Sequence, residues 1–234
     1  MKKEEFILKL KEKGLELSPS QIEQFELYLR TLQEYNKVMD LTTIIEDEDV
    51  YEKHFYDSLL CSFKIDLNSK SLLDVGSGAG FPGIPLAIAY PYLKITLLEP
   101  TTKRCNFLEI VKNKLGLNNV TIINDRAENY IKGHEESFDI VTARAVSRLN
   151  ILLELVASYL KVNGTFISLK GKIGLEELKE ASNALKTLNL KQDFIQEEHL
   201  ISNDDVRINI FIKKIGKTNP KYPRNYGQIK KRPL

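Results

Sequence analysis

The chain has few of the residues that most often carry covalent or metal chemistry. Its 234 residues include two cysteines, Cys61 and Cys105, and three histidines, His54, His134 and His199. The cysteines form no ligand cluster and no disulfide framework, which fits a reducing compartment and an expected cytoplasmic location. The histidines lie far apart without metal-ligand spacing, so no metal site is expected. No G-x-S-x-G elbow occurs. His54, Asp57 and Ser58 share one helix predicted from about Glu48 to Cys61, where capping or helix–helix hydrogen bonding explains them better than a hydrolase triad. Gly216-Lys217-Thr218 resembles the end of a phosphate-binding loop, but Phe211 stands where that loop needs its first glycine. Acids interrupt the N-terminal MKKEEFILKLKEK and no long apolar run follows, so neither a signal peptide nor a membrane span is expected. Acidic residues are missing from Lys213 to Arg232, a stretch with eight of the 34 basic side chains, and the other 26 are outnumbered by 32 acids. That asymmetry suits a polyanionic partner or a solubilising tail.

What the chain does have is a dense glycine segment, SLLDVGSGAGFPG, from Ser71 to Gly83. Leu72, Leu73 and Val75 read as a short buried strand. Gly76, Gly78, Gly80 and Gly83 follow, and Pro82 and Pro85 suit the first turn of a helix. Strand, glycine turn and helix make the first half of a βαβ unit whose bare backbone faces a ligand. The G-x-G-x-x-G spacing is shared with dinucleotide enzymes. Two acids shift the balance. Asp74 precedes the first glycine, as is typical of methyltransferases, and Glu99 closes the next strand at a distance suited to ribose hydroxyls. The plain alternative is a turn that only lets strand and helix pack closely, at a cost in backbone entropy.

The length suits one substantial domain with a small appended element. Ser18, Pro19 and Gln21 form a helix start with a capping-box partner, and Ile22, Phe25, Leu29 and Leu32 recur at helical spacing. Together with Phe6, Ile7 and Leu10 they predict an N-terminal helical layer over residues 1–68. The polar segment YNKVMDLTTI, from Tyr35 to Ile44, is either a capped turn or a wall of a site. Strands and helices then alternate: strands at Leu72–Val75, Lys94–Leu98, Asn119–Ile123, Phe138–Thr142 and Thr165–Leu169, with helices near 82–90, 101–115, 149–160 and 175–188. Two closing strands, Gln192–Leu200 and Arg207–Lys213, read as an antiparallel hairpin, the second half-buried because Ile208, Ile210 and Ile212 alternate. The expected class is α/β: a mostly parallel twisted sheet with helices on both faces over residues 69–215, then a basic tail over 216–234. Such sheets bind ligands at the carboxyl ends of their strands, where Asp74, Glu99, Asp125 to Glu128, Arg144 and Lys170 stand.

DVGSGAGFPGIPLAI, KRCNFLE, DRAE, VTARAV and SLKGK, in this order, resemble the glucose-inhibited division protein B (RsmG) family. YNKVMDLT, HFYDSL and KYPRNYG extend the resemblance from about Tyr35 to the C terminus. It implies a class I, Rossmann-like methyltransferase that uses S-adenosylmethionine to methylate N7 of guanine 527 in the 16S rRNA of the small ribosomal subunit. It also implies residue roles. Gly76, Gly78 and Phe81 should touch the cofactor, Glu99 its ribose, Ala127 and Glu128 its adenine, and Arg144 both the cofactor and the methyl-transfer site. Lys103, Arg104, Arg126, Lys170 and Arg224, with Arg148 and Lys172 nearby, are the expected RNA-binding residues. Asp40 stands where the family usually has Asn, Pro100 where Ser is common, and Tyr226 where a small or basic residue is usual. N7 carries a free lone pair, so no general base is expected, and Arg144 is expected on guanine O6 or a phosphate. Its alternative role is a structural pair with an acid such as Glu128. A monomer, without metal or membrane association, is the expected state. A small-molecule methyltransferase, a nicotinamide dehydrogenase and a non-catalytic ribosome assembly factor are the competing readings.

Overall fold

Two N-terminal helices, α1 (Lys3–Glu12) and α2 (Pro19–Met39), form where apolar stripes follow polar starts. In the computed structural model, which describes residues 1–234, Ser18 Oγ accepts from the Gln21 N–H at 3.3 Å and Gln21 Oε1 accepts from the Ser18 N–H at 2.8 Å. The reciprocal pair satisfies two donors that the first turn would leave open. Helix α2 ends at Asp40, whose φ of 51° is left-handed. Asparagine and aspartate both tolerate that region, so the Asp40 departure preserves the helix stop.

Seven strands make one sheet in the order β3-β2-β1-β4-β5-β7-β6. They are β1 (Ser71–Val75), β2 (Lys94–Leu98), β3 (Val120–Ile123), β4 (Phe138–Arg144), β5 (Leu160–Lys170), β6 (Leu190–His199) and β7 (Val206–Lys214). The first five are parallel, and β7 runs antiparallel between β5 and β6. This placement corrects the half-buried reading of β7. Ile208, Ile210 and Ile212 face one core and Phe211 the other, while Asn209 is buried as well. An interior strand has both faces covered, so its alternation does not report a wet side. β5 also starts earlier than the pattern implied. The helix Leu149–Val156 stops after two turns, and Leu160 already pairs with Phe138 of β4.

Two apolar cores flank the sheet. On one face, α1, α2 and the helices Gly83–Ala89 and Thr102–Leu115 enclose Phe6, Phe25, Tyr28, Phe55 and Phe107. Phe6 meets Phe25 edge-on at 5.2 Å between ring centres, and Phe25 lies 5.1 Å from Phe55. Burying one such ring is worth roughly 1.5–3 kcal/mol, so the layer is held by the aromatic cluster acting together rather than by any one member. Tyr28 carries that layer to the glycine turn by donating its hydroxyl to the Ala79 carbonyl at 2.6 Å. On the other face, Leu149, Leu152, Leu153, Val156 and Tyr159 pack with Ala181 and Ala184. The C-terminal stretch returns to this second face, where Ile229 of the short helix Tyr226–Lys231 is fully buried.

The segment predicted as one helix from Glu48 to Cys61 is irregular. It opens with a short α turn, Asp47–Asp49, widens into a π-helix over Val50–Tyr56, returns to α at Asp57–Leu60 and ends as a 3₁₀ turn, Cys61–Lys64. Widened turns of this kind recur where a helix must aim side chains at a site.

Candidate active site

The glycine turn leaves β1 at the middle of the sheet. Gly76 has φ +71°, and a Cβ there would stand 2.7 Å from Val146 Cγ2, so only glycine admits this close approach. At Gly83 a Cβ would meet Leu97 Cδ2 at 2.2 Å, which is why the following helix can press onto β2. Asp74 lies beneath the turn and is fully buried. It accepts from the Gly83 N–H at 3.2 Å and from Thr142 Oγ1 at 2.9 Å. Burial raises its carboxyl to about 6 against those hydrogen bonds. The acid that marked the segment in the sequence therefore braces the turn from below. Glu99 also faces the turn: its carboxylate accepts from the Gly78 N–H and the Thr101 N–H, each at 2.9 Å, and Arg104 lies 3.9 Å away. Each carboxylate oxygen keeps a further lone pair for a hydroxyl.

Arg144 ends β4 and is gripped by the irregular helix. Its Nη1 donates to the Lys53 carbonyl at 3.3 Å and to Asp57 Oδ2 at 3.2 Å, and its Nη2 donates to His54 Nδ1 at 3.2 Å. Because Nδ1 accepts, the proton of His54 sits on Nε2, 3.0 Å from Thr42 Oγ1. Burial and the adjacent guanidinium lower His54 to about 3, so the ring is neutral. It stacks on Phe81 at 4.2 Å, and the Arg144 guanidinium lies 5.1 Å from the same ring. Asp57 is shared: its other oxygen lies 3.3 Å from Arg207 Nε in a second ion pair. Burial raises the Asp57 carboxyl, and the two guanidiniums oppose that rise. The expected alternative, an Arg144–Glu128 pair, is thus replaced by an Arg144–Asp57 pair. His54 and Asp57 form no hydrolase triad; they hydrogen-bond across elements, to Thr42 and to Arg144 of β4, rather than cap a helix. The available signal was two polar residues at i and i+3 inside the apolar run HFYDSLL, where burial demands a partner.

Three cavities meet along the turn that follows Arg144. One of about 190 Å³ has apolar walls from Val75, Leu98, Pro100, Ala127 and Leu155, with Gly76 at its inner end and Tyr226 from the C-terminal stretch on its lining. A second, of about 210 Å³, is lined by Thr42, His54, Gly78, Phe81, Arg104 and Arg144 and shares Gly76 with the first. A third, about 450 Å³, shares Arg144 with the second and Val146 with the first, and adds Arg207 and Lys170. The structure thus brings Gly76, Gly78, Phe81, Glu99, Ala127, Glu128 and Arg144 to one rim. Thr42, from the segment expected as a capped turn or a wall of a site, lines the second cavity, and Arg207, Val146 and Tyr226 join the rim with no signal in the sequence that marks them for it.

The basic residues divide. Lys103 (Nζ 3.2 Å from the Val38 carbonyl), Arg104 and Arg126 are open to solvent at this rim. Lys170 is not: it is nearly buried, 2.8 Å from Glu177 and 2.7 Å from the Ser147 carbonyl. Arg224 is likewise spent, its Nε and Nη2 bonded to the buried carboxylate of Glu154 at 2.8 and 2.6 Å. Both cations are therefore held in ion pairs within this structure, Lys170 nearly buried and Arg224 about a quarter exposed, and an RNA phosphate would have to compete with Glu177 and Glu154 for them.

Parallel strands in this order, an antiparallel pair at one edge and a glycine turn after β1 define a class I, Rossmann-like methyltransferase fold. Solved structures with the same architecture include M. jannaschii TYW2 in complex with AdoMet, at a TM-score of 0.57 and 17% identity over 76% of this chain and 81% of that one. A SAM-dependent methyltransferase from Aquifex aeolicus matches at 0.55 and 18%, covering 71% and 93%. The family model GidB, rRNA small subunit methyltransferase G, matches residues 21–204, and the chain belongs to that family. Its relatives include the ribosomal RNA small subunit methyltransferase G of Staphylococcus epidermidis, 48% identical over 230 residues and covering 97% of this chain and 95% of that protein. The Oceanobacillus iheyensis protein of the same name is 45% identical over the full length of both.

Proposed function

We infer that this chain transfers a methyl group from S-adenosylmethionine to N7 of one guanine in 16S rRNA, position 527 in the usual rRNA numbering. The observation that carries the reading is the meeting of the three cavities at Gly76 and Arg144. The residues present fit the donor. The apolar slot beside Ala127 suits a purine, Glu99 has lone pairs for ribose hydroxyls, and Arg104 offers a cation to a carboxylate. When bound, the donor supplies a methyl carried on a sulfonium. The outer cavity beside Arg144 and Arg207 suits the incoming nucleotide.

Guanine N7 needs no base to expose its lone pair, and the site has none poised: His54 is neutral with Nδ1 spent on Arg144. Catalysis then rests on holding acceptor and methyl carbon in near-attack geometry, worth roughly 7–11 kcal/mol of barrier. Positive charge grows on the guanine as the methyl arrives. A bare arginine beside it would oppose that change. Asp57, bonded to Arg144 and Arg207 together, offsets their charge while leaving N–H groups for O6 or a phosphate.

Exposed Lys103, Arg104 and Arg126 support phosphate contacts, so RNA affinity should fall steeply with added salt. No helix is long and apolar enough to cross a membrane. On this reading the protein is a cytoplasmic monomer acting on the small subunit or its free RNA. The test is transfer of a radiolabelled methyl group to 16S rRNA, free or in small subunits from cells lacking this protein. Label on guanine 527 is expected, with near-complete loss in Arg144→Ala. Absence of transfer to either substrate, or wild-type turnover in the variant, would overturn the assignment.

A further inference from the structure

The C-terminal stretch, whose composition suits a polyanionic partner or a solubilising tail, is built into the wall of a cavity. Its attachment is specific. The Arg224 backbone N–H and Nε both donate to Glu154 Oε1, at 2.9 and 2.8 Å, and Nη2 donates to Oε2 at 2.6 Å. Ser158 Oγ donates to the Tyr222 carbonyl at 3.1 Å, Asn225 Oδ1 accepts from the Gln228 N–H at 3.0 Å, and Ile229 is fully buried. Glu154 carries the anchor, and its neighbour Leu155 lines the 190 Å³ cavity that Tyr226 also lines. The clamp therefore brings Tyr226 to the cavity that Val75, Leu98, Pro100 and Ala127 also line.

We propose that Tyr226 is the outer wall of the purine end of the donor pocket, and that the docked C-terminal stretch sets how tightly the donor is held. The inference rests on the donor reading above and adds to it a residue that the expected cofactor set does not contain. An aromatic residue lining an apolar cavity can stack on a flat heterocycle, and stacking of this kind tolerates loss of the phenol hydroxyl but not of the ring.

The experiment is calorimetric titration of the full chain with S-adenosylhomocysteine. Tyr226→Ala should bind it roughly tenfold or more weakly, as expected for loss of one base–aromatic stack. Tyr226→Phe should bind as wild type, and affinity of Tyr226→Ala for 16S rRNA should be unchanged. The chain contains no tryptophan, so Tyr226→Trp carries a single indole, whose emission should change on adding the ligand. Equal S-adenosylhomocysteine affinity in wild type and Tyr226→Ala, with a silent indole in Tyr226→Trp, overturns the proposal while leaving the donor assignment intact. Loss of RNA affinity alone in Tyr226→Ala also overturns it and returns the stretch to an RNA arm. Failure of the wild-type chain to bind S-adenosylhomocysteine would overturn the donor assignment itself.

Discussion

The two ends of the chain reach one rim from opposite faces of the sheet. The N-terminal layer is held by aromatic packing, with Phe6, Phe25 and Phe55 at its centre, and reaches the site through Tyr28, His54 and Asp57. The C-terminal stretch is held mainly by charge-assisted hydrogen bonds, Arg224 on Glu154, with Ile229 as its buried foot. The first arrangement follows from apolar periodicity, which reports burial directly. The second is hidden by composition, because a run of lysines and arginines reads as solvated until the buried acid that binds one of them is found. Charge in a sequence shows which partner chemistry is available, and only the fold shows whether the partner is internal.

The largest expected effect is on the N-terminal side. Asp57→Ala leaves Arg144 and Arg207 without their shared carboxylate. Removing one partner of a buried ion pair costs roughly 3–5 kcal/mol, and the lower end applies because the two arginine side chains keep 18% and 20% exposure. Urea unfolding should show the loss as a lower midpoint at constant m-value, and methyl transfer should fall because Arg144 loses its anchor. Asp57→Asn, which keeps a hydrogen bond, should lose less of both. The matching change on the other face is Glu154→Ala. Arg224 is 26% exposed and can turn into solvent, so the cost is nearer that of a charged hydrogen bond, about 1.5–3 kcal/mol. A greater loss from Glu154→Ala than from Asp57→Ala would reverse the ranking of the two grips.

The strand and helix alternation, the glycine turn and the capping box were legible because each rests on local chemistry: apolar runs between polar turns, Gly76 at a positive φ, Ser18 with Gln21. Such local signals do not extend to partners distant in sequence. Arg144 and Asp57 are 87 residues apart, and Arg224 and Glu154 are 70 apart. No spacing rule joins them, so the sequence offers only capping or helix–helix hydrogen bonding for His54 and Asp57 and an RNA phosphate for Arg224. β7 was misread for a related reason. Its alternation describes one face, and only its insertion between β5 and β6 covers the other.

A smaller effect separates the N-terminal grip from the glycine turn by pH. His54 is held near 3 in the folded chain, below the ordinary value of about 6.5. The folded state thus binds fewer protons there than the unfolded chain, and His54's contribution is present above about 6.5 and lost as pH falls toward 3. Asp74 behaves oppositely. Its folded value of about 6 favours the neutral form, so its contribution is full below the unfolded carboxylate value near 3.9 and lost as pH rises through 6. The two oppose each other between about pH 4 and 6, given those two shifts. Thermal melts across this window should show stability falling with rising pH in His54→Gln and rising with pH in Asp74→Asn. Parallel slopes in the two variants would contradict the assignment of either group.

The smallest effect tests whether the N-terminal layer is held by packing alone or also by its cap. Ser18 Oγ takes the Gln21 N–H, and Gln21 returns its Oε1 to the Ser18 N–H while its Nε2 donates to the Ile88 carbonyl at 2.7 Å. Gln21 thereby ties the start of α2 to the helix Gly83–Ala89 that follows the glycine turn. Ser18→Ala removes one hydrogen bond at the helix start and leaves the Gln21 side chain in place, so it should cost about 1 kcal/mol. Gln21→Ala removes the reciprocal bond and the tie to Ile88 together, and should cost more than Ser18→Ala in the same urea titration. Neither residue touches the cavities at the rim, so S-adenosylhomocysteine affinity should not change in Ser18→Ala. A change there would mean that the seating of α2 sets the shape of the glycine turn through Tyr28 and Ala79, and the N-terminal layer would then be as much a part of the donor site as the C-terminal stretch.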